Sequence, residues 1–227
     1  MKTILKFILW SAVLYCLASC GPTNKLTRSE QYAGIYEEKP VVLAVMPPIN
    51  NTAMTEAKDL LYTSISKPLI EAGYYVLSPN LLMDMLKAES AYDSELFIDG
   101  DMKMFNKVLG ADAIVFSIID EWAKKGVGIQ TTIRYVIKSA YTNEIIFDRR
   151  CELYLNLSVN SGSNSALGAL LDLAMTAINT ASTDHIVAAR KCNYFIFNDI
   201  PRGKYSPDYM KDMDIESGPK NIKASVK

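Results

Sequence analysis

The sequence predicts an α/β (α+β) fold: a mixed sheet flanked by helices, ending in an antiparallel hairpin and a long helix. Three observations carry this. Short apolar runs at 41–46, 74–77 and 113–119 alternate with segments of helical period, the signature of strands crossing back through helices. From Ile129 the period changes to two, and a second strand-like segment returns after a turn. The composition supports one domain, because 227 residues with 49% hydrophobic content can bury a core. With 24 basic against 25 acidic side chains there is little counterion release to gain on a polyanion, so no nucleic acid is expected as main partner.

The chain opens with Lys2 and Lys6 ahead of the apolar stretch 7–15, which is too short to span a bilayer as a helix. The stretch ends in Leu17-Ala18-Ser19-Cys20, which resembles a bacterial lipobox. By that resemblance residues 1–19 are a lipoprotein signal peptide, and the Cys20 thiol becomes a diacylglyceryl thioether on the first residue of the mature chain. Several acyl chains on one residue make a firm anchor, since each buried CH2 contributes about 0.8 kcal/mol. Gly21 follows where an aspartate often retains lipoproteins at the inner membrane, which favours the periplasmic face of the outer membrane.

Residues 20–40 read as a lipidated tether, polar and without a sustained period, leading to an α/β domain over 41–200. The run 41–46, closed by Pro47 and Pro48, predicts a strand buried on both faces. Ala57, Leu61, Ile65, Leu69 and Ala72 make the stripe of a helix ending at Gly73, with Pro68 expected to bend or break it. A strand over 74–77 follows, then helical segments over 79–87 and 101–109, the latter stopped by Gly110. After the strand at 113–119, Ile129, Thr131, Ile133, Tyr135 and Ile137 line one face of a half-exposed strand, and 145–156 pairs with it antiparallel. The small-residue segment 166–189 predicts a long helix. As a membrane span it would bury Asp172 at roughly 3 kcal/mol on insertion scales, so packing on the sheet or on a partner is favoured. A last short strand is expected at 194–197, and 201–227 reads as an arm that loses order toward its end.

Four segments carry a resemblance: the block from Lys67 to Pro79, the Pro-Pro-Ile-Asn-Asn loop at 47–51, Gly110-Ala111-Asp112-Ala113 entering a strand, and 200–207, Ile-Pro-Arg-Gly-Lys-Tyr-Ser-Pro. In these the chain resembles the bacterial lipoproteins of the DUF799 family, the family of the neisserial antigen GNA1162. The resemblance implies a domain similar to the amino-terminal domain of TolB, homodimeric, working beside a CsgG-like secretion lipoprotein in transport or assembly across the outer membrane. It brings no catalytic residues and no cofactor.

The residues themselves offer little catalytic chemistry. His185, the one histidine, lies beside Asp184, but no G-x-S-x-G turn supplies a nucleophile, and both suit a helix start. Asp99-Gly100-Asp101 lacks the spaced ligands of a calcium loop, so Asp101 is expected as a helix cap and no metal is assigned. Asp120 and Glu121, adjacent on a strand, are expected to point to opposite faces and so not to share a proton. Gly126 and Gly128 make a turn. With Cys16 removed and Cys20 acylated, Cys151 and Cys192 remain. One disulfide closing a loop of about 40 residues, contributing about 3–4 kcal/mol, and a pair of buried free thiols both stay open. Tyrosine gives contact area at little entropic cost, which marks Tyr74, Tyr75, Tyr205 and Tyr209, with Leu167 and Leu170 on the long helix, as interface candidates. The expected role is that of a lipid-anchored periplasmic accessory protein rather than an enzyme. The rivals are a carboxylate-dependent peptidoglycan or glycan hydrolase and a small-ligand shuttle.

Overall fold

A computed structural model describes residues 25–90, 93–158 and 183–227. The signal peptide, Cys20, Leu167, Leu170 and the first part of the expected long helix lie outside them. Two short helices, α1 (Arg28–Gln31) and α2 (Ala33–Glu38), lead into β1 (Val42–Val45) and β2 (Ile49–Asn50). There follow α3 (Ala57–Glu71), β3 (Tyr75–Val76), α4 (Pro79–Ala88), a 3-10 turn (Ser94–Leu96) and α5 (Lys103–Leu109). The long strands β4 (Ala113–Lys125), β5 (Gly128–Ser139) and β6 (Ile145–Asn156) precede α6 (Thr183–Phe197) and β7 (Asn221–Val226).

All seven strands form one mixed sheet in the order β3-β1-β4-β5-β6-β7, with β2 beside β4. β1 runs parallel to β3 and β4, β4 to β6 form an antiparallel meander, and β7 joins β6 in parallel. Successive residues of β1 feed two cores, as a strand covered on both faces must. Leu43 and Val45 join the larger core under α3 and α6, whereas Ala44 and Met46 join the smaller one under α4 and α5. The expected face of β5, from Ile129 to Ile137, is buried in the larger core. On its other face Thr132, Val136 and Lys138 are buried and Arg134 is exposed.

Four expectations are corrected. Residues 28–38 are not tether: Tyr32, Ile35 and Tyr36 are buried in the larger core, and Thr27 caps α1 in a reciprocal box with Glu30. The strand expected at 194–197 is the end of α6, because Ala188, Ala189, Cys192, Ile196 and Phe197 fall on one buried helical stripe that outweighs the β propensity of Tyr-Phe-Ile-Phe. The C-terminal arm is ordered and supplies β7. α3 runs through Pro68 unbroken. The lost N–H lies near the helix end, and Leu61, Ile65 and Leu69 hold the segment in the core on either side of it.

A cluster of four charged side chains distant in sequence ties α1 and the segment after α6 to the sheet. Arg28 donates through Nη1 to Asp212 Oδ2 at 2.9 Å, and the same carboxylate accepts from Tyr36 OH at 3.0 Å and from the Arg202 N–H at 2.9 Å. Arg149 on β6 donates through Nη2 to Asp199 Oδ2 at 2.9 Å, and Tyr32 OH and the Gly218 N–H converge on that oxygen. The Arg149 guanidinium also lies 4.9 Å from the centre of the Tyr32 ring, which stacks in turn on Phe147. Burial, followed by the carboxylate partners, raises both tyrosine pKa values, so the rings stay neutral donors.

Removing one member of such a cluster strands a buried charge. Asp212→Ala is expected to lower the unfolding free energy by about 3–5 kcal/mol. Urea unfolding followed by Trp122 fluorescence checks this, and an unchanged midpoint would show the cluster to be incidental.

Candidate interaction surfaces

Asp101, Asp120, Glu121 and His185 are engaged in structural bonds, whereas one carboxylate oxygen of Asp184 is buried without a partner. A bulge between Ile119 and Glu121 sets Ile119 opposite Ile133 and Glu121 opposite Thr132. Ile119 and Trp122 are therefore both buried although three residues apart, and Asp120 and Glu121 both meet residues of the polar face. This corrects the expectation of opposite faces. Asp120 Oδ2 pairs with Arg150 Nη1 at 2.9 Å, and Glu121 accepts from Thr132 Oγ1 at 3.0 Å. The two carboxylates are thus on one side of the sheet but bound to different partners. Asp101 accepts the Lys103 N–H at 3.0 Å just ahead of α5, whose cap residue is Met102. Among the described residues no three His, Cys, Asp or Glu side chains gather as metal ligands.

His185, in the first turn of α6, accepts the indole N–H of Trp122 on Nδ1 at 2.8 Å. Burial lowers its pKa, with Asp184 and Glu56 opposing weakly. Protonation would remove the lone pair the indole uses, so this is a packing contact between α6 and β4 rather than a free base. Cys151 and Cys192 are free thiols, both fully buried, and Thr131 Oγ1 lies 3.2 Å from Cys192 Sγ. Burial and the neighbouring Cys151 push the Cys192 thiol well up, away from the thiolate.

The segments quoted for the family resemblance prove to be joints of the fold. Gly73, at φ +95°, crosses Gly203 so closely that a Cβ on Gly203 would sit 2.5 Å from the Gly73 carbonyl oxygen. Gly203 and Tyr205 donate back to Ala72 and Gly73, and Tyr74 OH donates to the Pro201 carbonyl at 2.7 Å. Asp112 accepts the N–H groups of Val41 and Val42 at 2.8 Å each and so sets the start of β1. Asn51 donates its N–H to Ile119 and secures the Pro-Pro loop against β4.

The interface candidates divide accordingly. Tyr74 is buried in the core and is not a surface contact, a correction its hydroxyl bond explains. Tyr75 on the edge strand β3 and Tyr205 are exposed, and the Tyr205 backbone N–H is bonded to Gly73 at the α3–β3 corner. Tyr209 is half-buried.

Two grooves were not legible beforehand. Between α3 and α6 lies one of about 900 Å³, lined by Thr63, Lys67 and Pro68 from one helix and Ile186, Arg190 and Tyr194 from the other. Asn193 holds its floor: Nδ2 donates to Ser64 Oγ at 2.9 Å, and Tyr135 OH donates to Oδ1 at 2.7 Å. On the other face of the sheet, Leu82, Met85, Phe97, Met104, Phe105 and Val108 enclose an apolar cleft of about 110 Å³ between α4 and α5. Of its lining, Met85, Met104 and Val108 are exposed, as are Leu81 on α4 and Leu96 just before Phe97.

A helix-flanked mixed sheet, with a groove of mixed polar and apolar lining on one face and an apolar cleft on the other, defines an α/β domain. The family model described as "Putative lipoprotein GNA1162-like" matches residues 30–189, and the chain belongs to that family. It is 25% identical over 182 residues to the "Putative lipoprotein NMB1124/NMB1162" of Neisseria meningitidis serogroup B, covering 78% of this chain and 82% of that protein. Among solved structures it is similar to lipoprotein GNA1162 from Neisseria meningitidis, at 19% identity, TM-score 0.48, and coverage of 63% of this chain and 99% of that one. It is also similar to the PelC dodecamer from Paraburkholderia phytofirmans, at 10% identity, TM-score 0.40, and coverage of 74% of this chain and 90% of that one.

The histidine contact sets a pH dependence. Because the folded pKa of His185 lies below its ordinary value of 6.5, the unfolded chain takes up the proton first as pH falls. Its share of stability is present above that value and declines below it, down to the folded pKa. Thermal unfolding at pH 7.5 and 5.5 should show a smaller fall in Tm for His185→Gln than for the parent protein. Equal falls would mean that the imidazole is not perturbed.

Proposed function

We propose that this protein is a lipid-anchored accessory of the bacterial cell envelope, acylated on Cys20 and held at the periplasmic face of the outer membrane. In this reading it works as a homodimer through protein contacts, in support of a CsgG-like export or envelope-assembly system, and not as an enzyme. The observation that carries the reading is membership of a lipoprotein family in a chain whose own sequence places a lipobox at Cys20. Two structural features support a contact role. The α4–α5 cleft with exposed Leu81, Leu96 and Val108 offers apolar area to a partner, and the α3–α6 groove combines apolar side chains with Lys67 and Arg190. The adjacent pair Asp120 and Glu121, bound to Arg150 and Thr132, lends the hydrolase reading no support.

Metabolic labelling with palmitate tests the anchor. The parent protein should incorporate label and fractionate with the outer membrane, whereas Cys20→Ala should do neither. A Cys20→Ala protein that remains membrane-bound, or an unlabelled parent, would contradict the proposal.

A further inference from the structure

The described fold reaches much closer to Cys20 than the sequence suggests. Lys25 is already part of the folded body, its ammonium paired with Glu216, and Thr27 bridges to Glu216 in a two-residue antiparallel contact. The Leu26 carbonyl accepts from the Ser217 N–H at 2.9 Å, and the Arg28 N–H donates to Ile215 at 2.8 Å. Lys25 follows Cys20 by so few positions that the connection spans at most about 18 Å even when fully extended. A domain of this size is about 40 Å across. The leash is therefore shorter than the body it holds, and the domain cannot turn its remote faces to the leaflet that carries the acyl chains.

Where the leash joins, two apolar side chains stand in solvent. Leu26 is 48% exposed and Ile215 is 51% exposed, on backbone segments bonded to each other. The core residues of α1 and α2 belong to the α3–α6 side of the sheet, whereas the α4–α5 cleft belongs to the opposite side. From the chain length between the acylation point and the folded body, and resting on the acylation of Cys20 proposed above, we infer that the surface around Leu26 and Ile215 is the membrane-apposed face. It lies against the headgroup layer of the anchoring leaflet and leaves the α4–α5 cleft facing away, open to a partner. The ligand of this surface is the lipid headgroup region itself.

Energy transfer on the full acylated protein tests this. The protein is purified from membranes and reconstituted in phosphatidylethanolamine–phosphatidylglycerol vesicles bearing a headgroup-linked acceptor. A donor is placed on Asp214→Cys, next to the leash, or on Val108→Cys, beside the distal cleft; the two native thiols are buried and do not compete. Transfer should be greater from position 214 than from position 108. Inserting twenty Gly and Ser residues between Thr23 and Asn24 should lower it and close the difference, because a 25-residue flexible leash extends to roughly 28 Å on average. Equal transfer from the two positions, or a difference untouched by the insertion, overturns the inference. Failure of the protein to float with the vesicles refutes the Cys20 anchor itself, which is a separate result.

Discussion

The pairing of Arg28 and Arg149 with Asp212 and Asp199 is the constraint on which the rest of the architecture depends. It draws together the segment that follows the anchor, the middle of the sheet and the C-terminal arm, which are otherwise far apart in sequence. Burying such charges is costly unless they are paired and hydrogen-bonded; the two tyrosine hydroxyls and the backbone N–H groups of Arg202 and Gly218 donate to the carboxylates, whereas Arg28 Nε and Arg149 Nε make no hydrogen bond. The same side chains also shape the apolar packing, since Tyr32 stacks between Arg149 and Phe147 and thereby leads from the ionic cluster into the larger core.

Residues 25–38 are locked into the fold in this way. The described fold includes Lys25, which pairs with Glu216 of the C-terminal segment. The four segments that carry the family resemblance act in the same structural sense. Gly73 against Gly203, Asp112 against the start of β1, and Asn51 against β4 are joints between elements. Their chemistry is that of close backbone approach and hydrogen-bond closure, which defines a shape and leaves the work to its surfaces.

Much of the sheet was legible because its signals are periodic. The alternation from Ile129 to Ile137, the double-sided burial of 42–45 and the 145–156 return strand all appear as expected. The failures have physical causes. A short helix such as 33–38 shows too few turns to establish a period, although Thr27-Arg-Ser-Glu30 was a readable capping box and Tyr32, Ile35 and Tyr36 already stood at helical spacing. The ionic cluster depends on contacts such as Arg28 with Asp212, 184 residues apart, which no local pattern reports. Nor does local patterning foresee a bulge, and that one extra residue brought Asp120 and Glu121 to the same side. The grooves arise from how helices sit on the sheet, so only Tyr75 and Tyr205 among the described interface candidates were found in exposed positions.

Hydrogen exchange measured residue by residue on the folded domain is the most direct test of the central claim that the N-terminal helices are integral to it. The amides of Tyr32 and Lys39, bonded to Arg28 and Ile35, should exchange only through global opening, with the same free energy as amides in the centre of β5 and β6. Exchange of the N-terminal amides at the rate of an unstructured chain, while the sheet stays protected, would contradict the account.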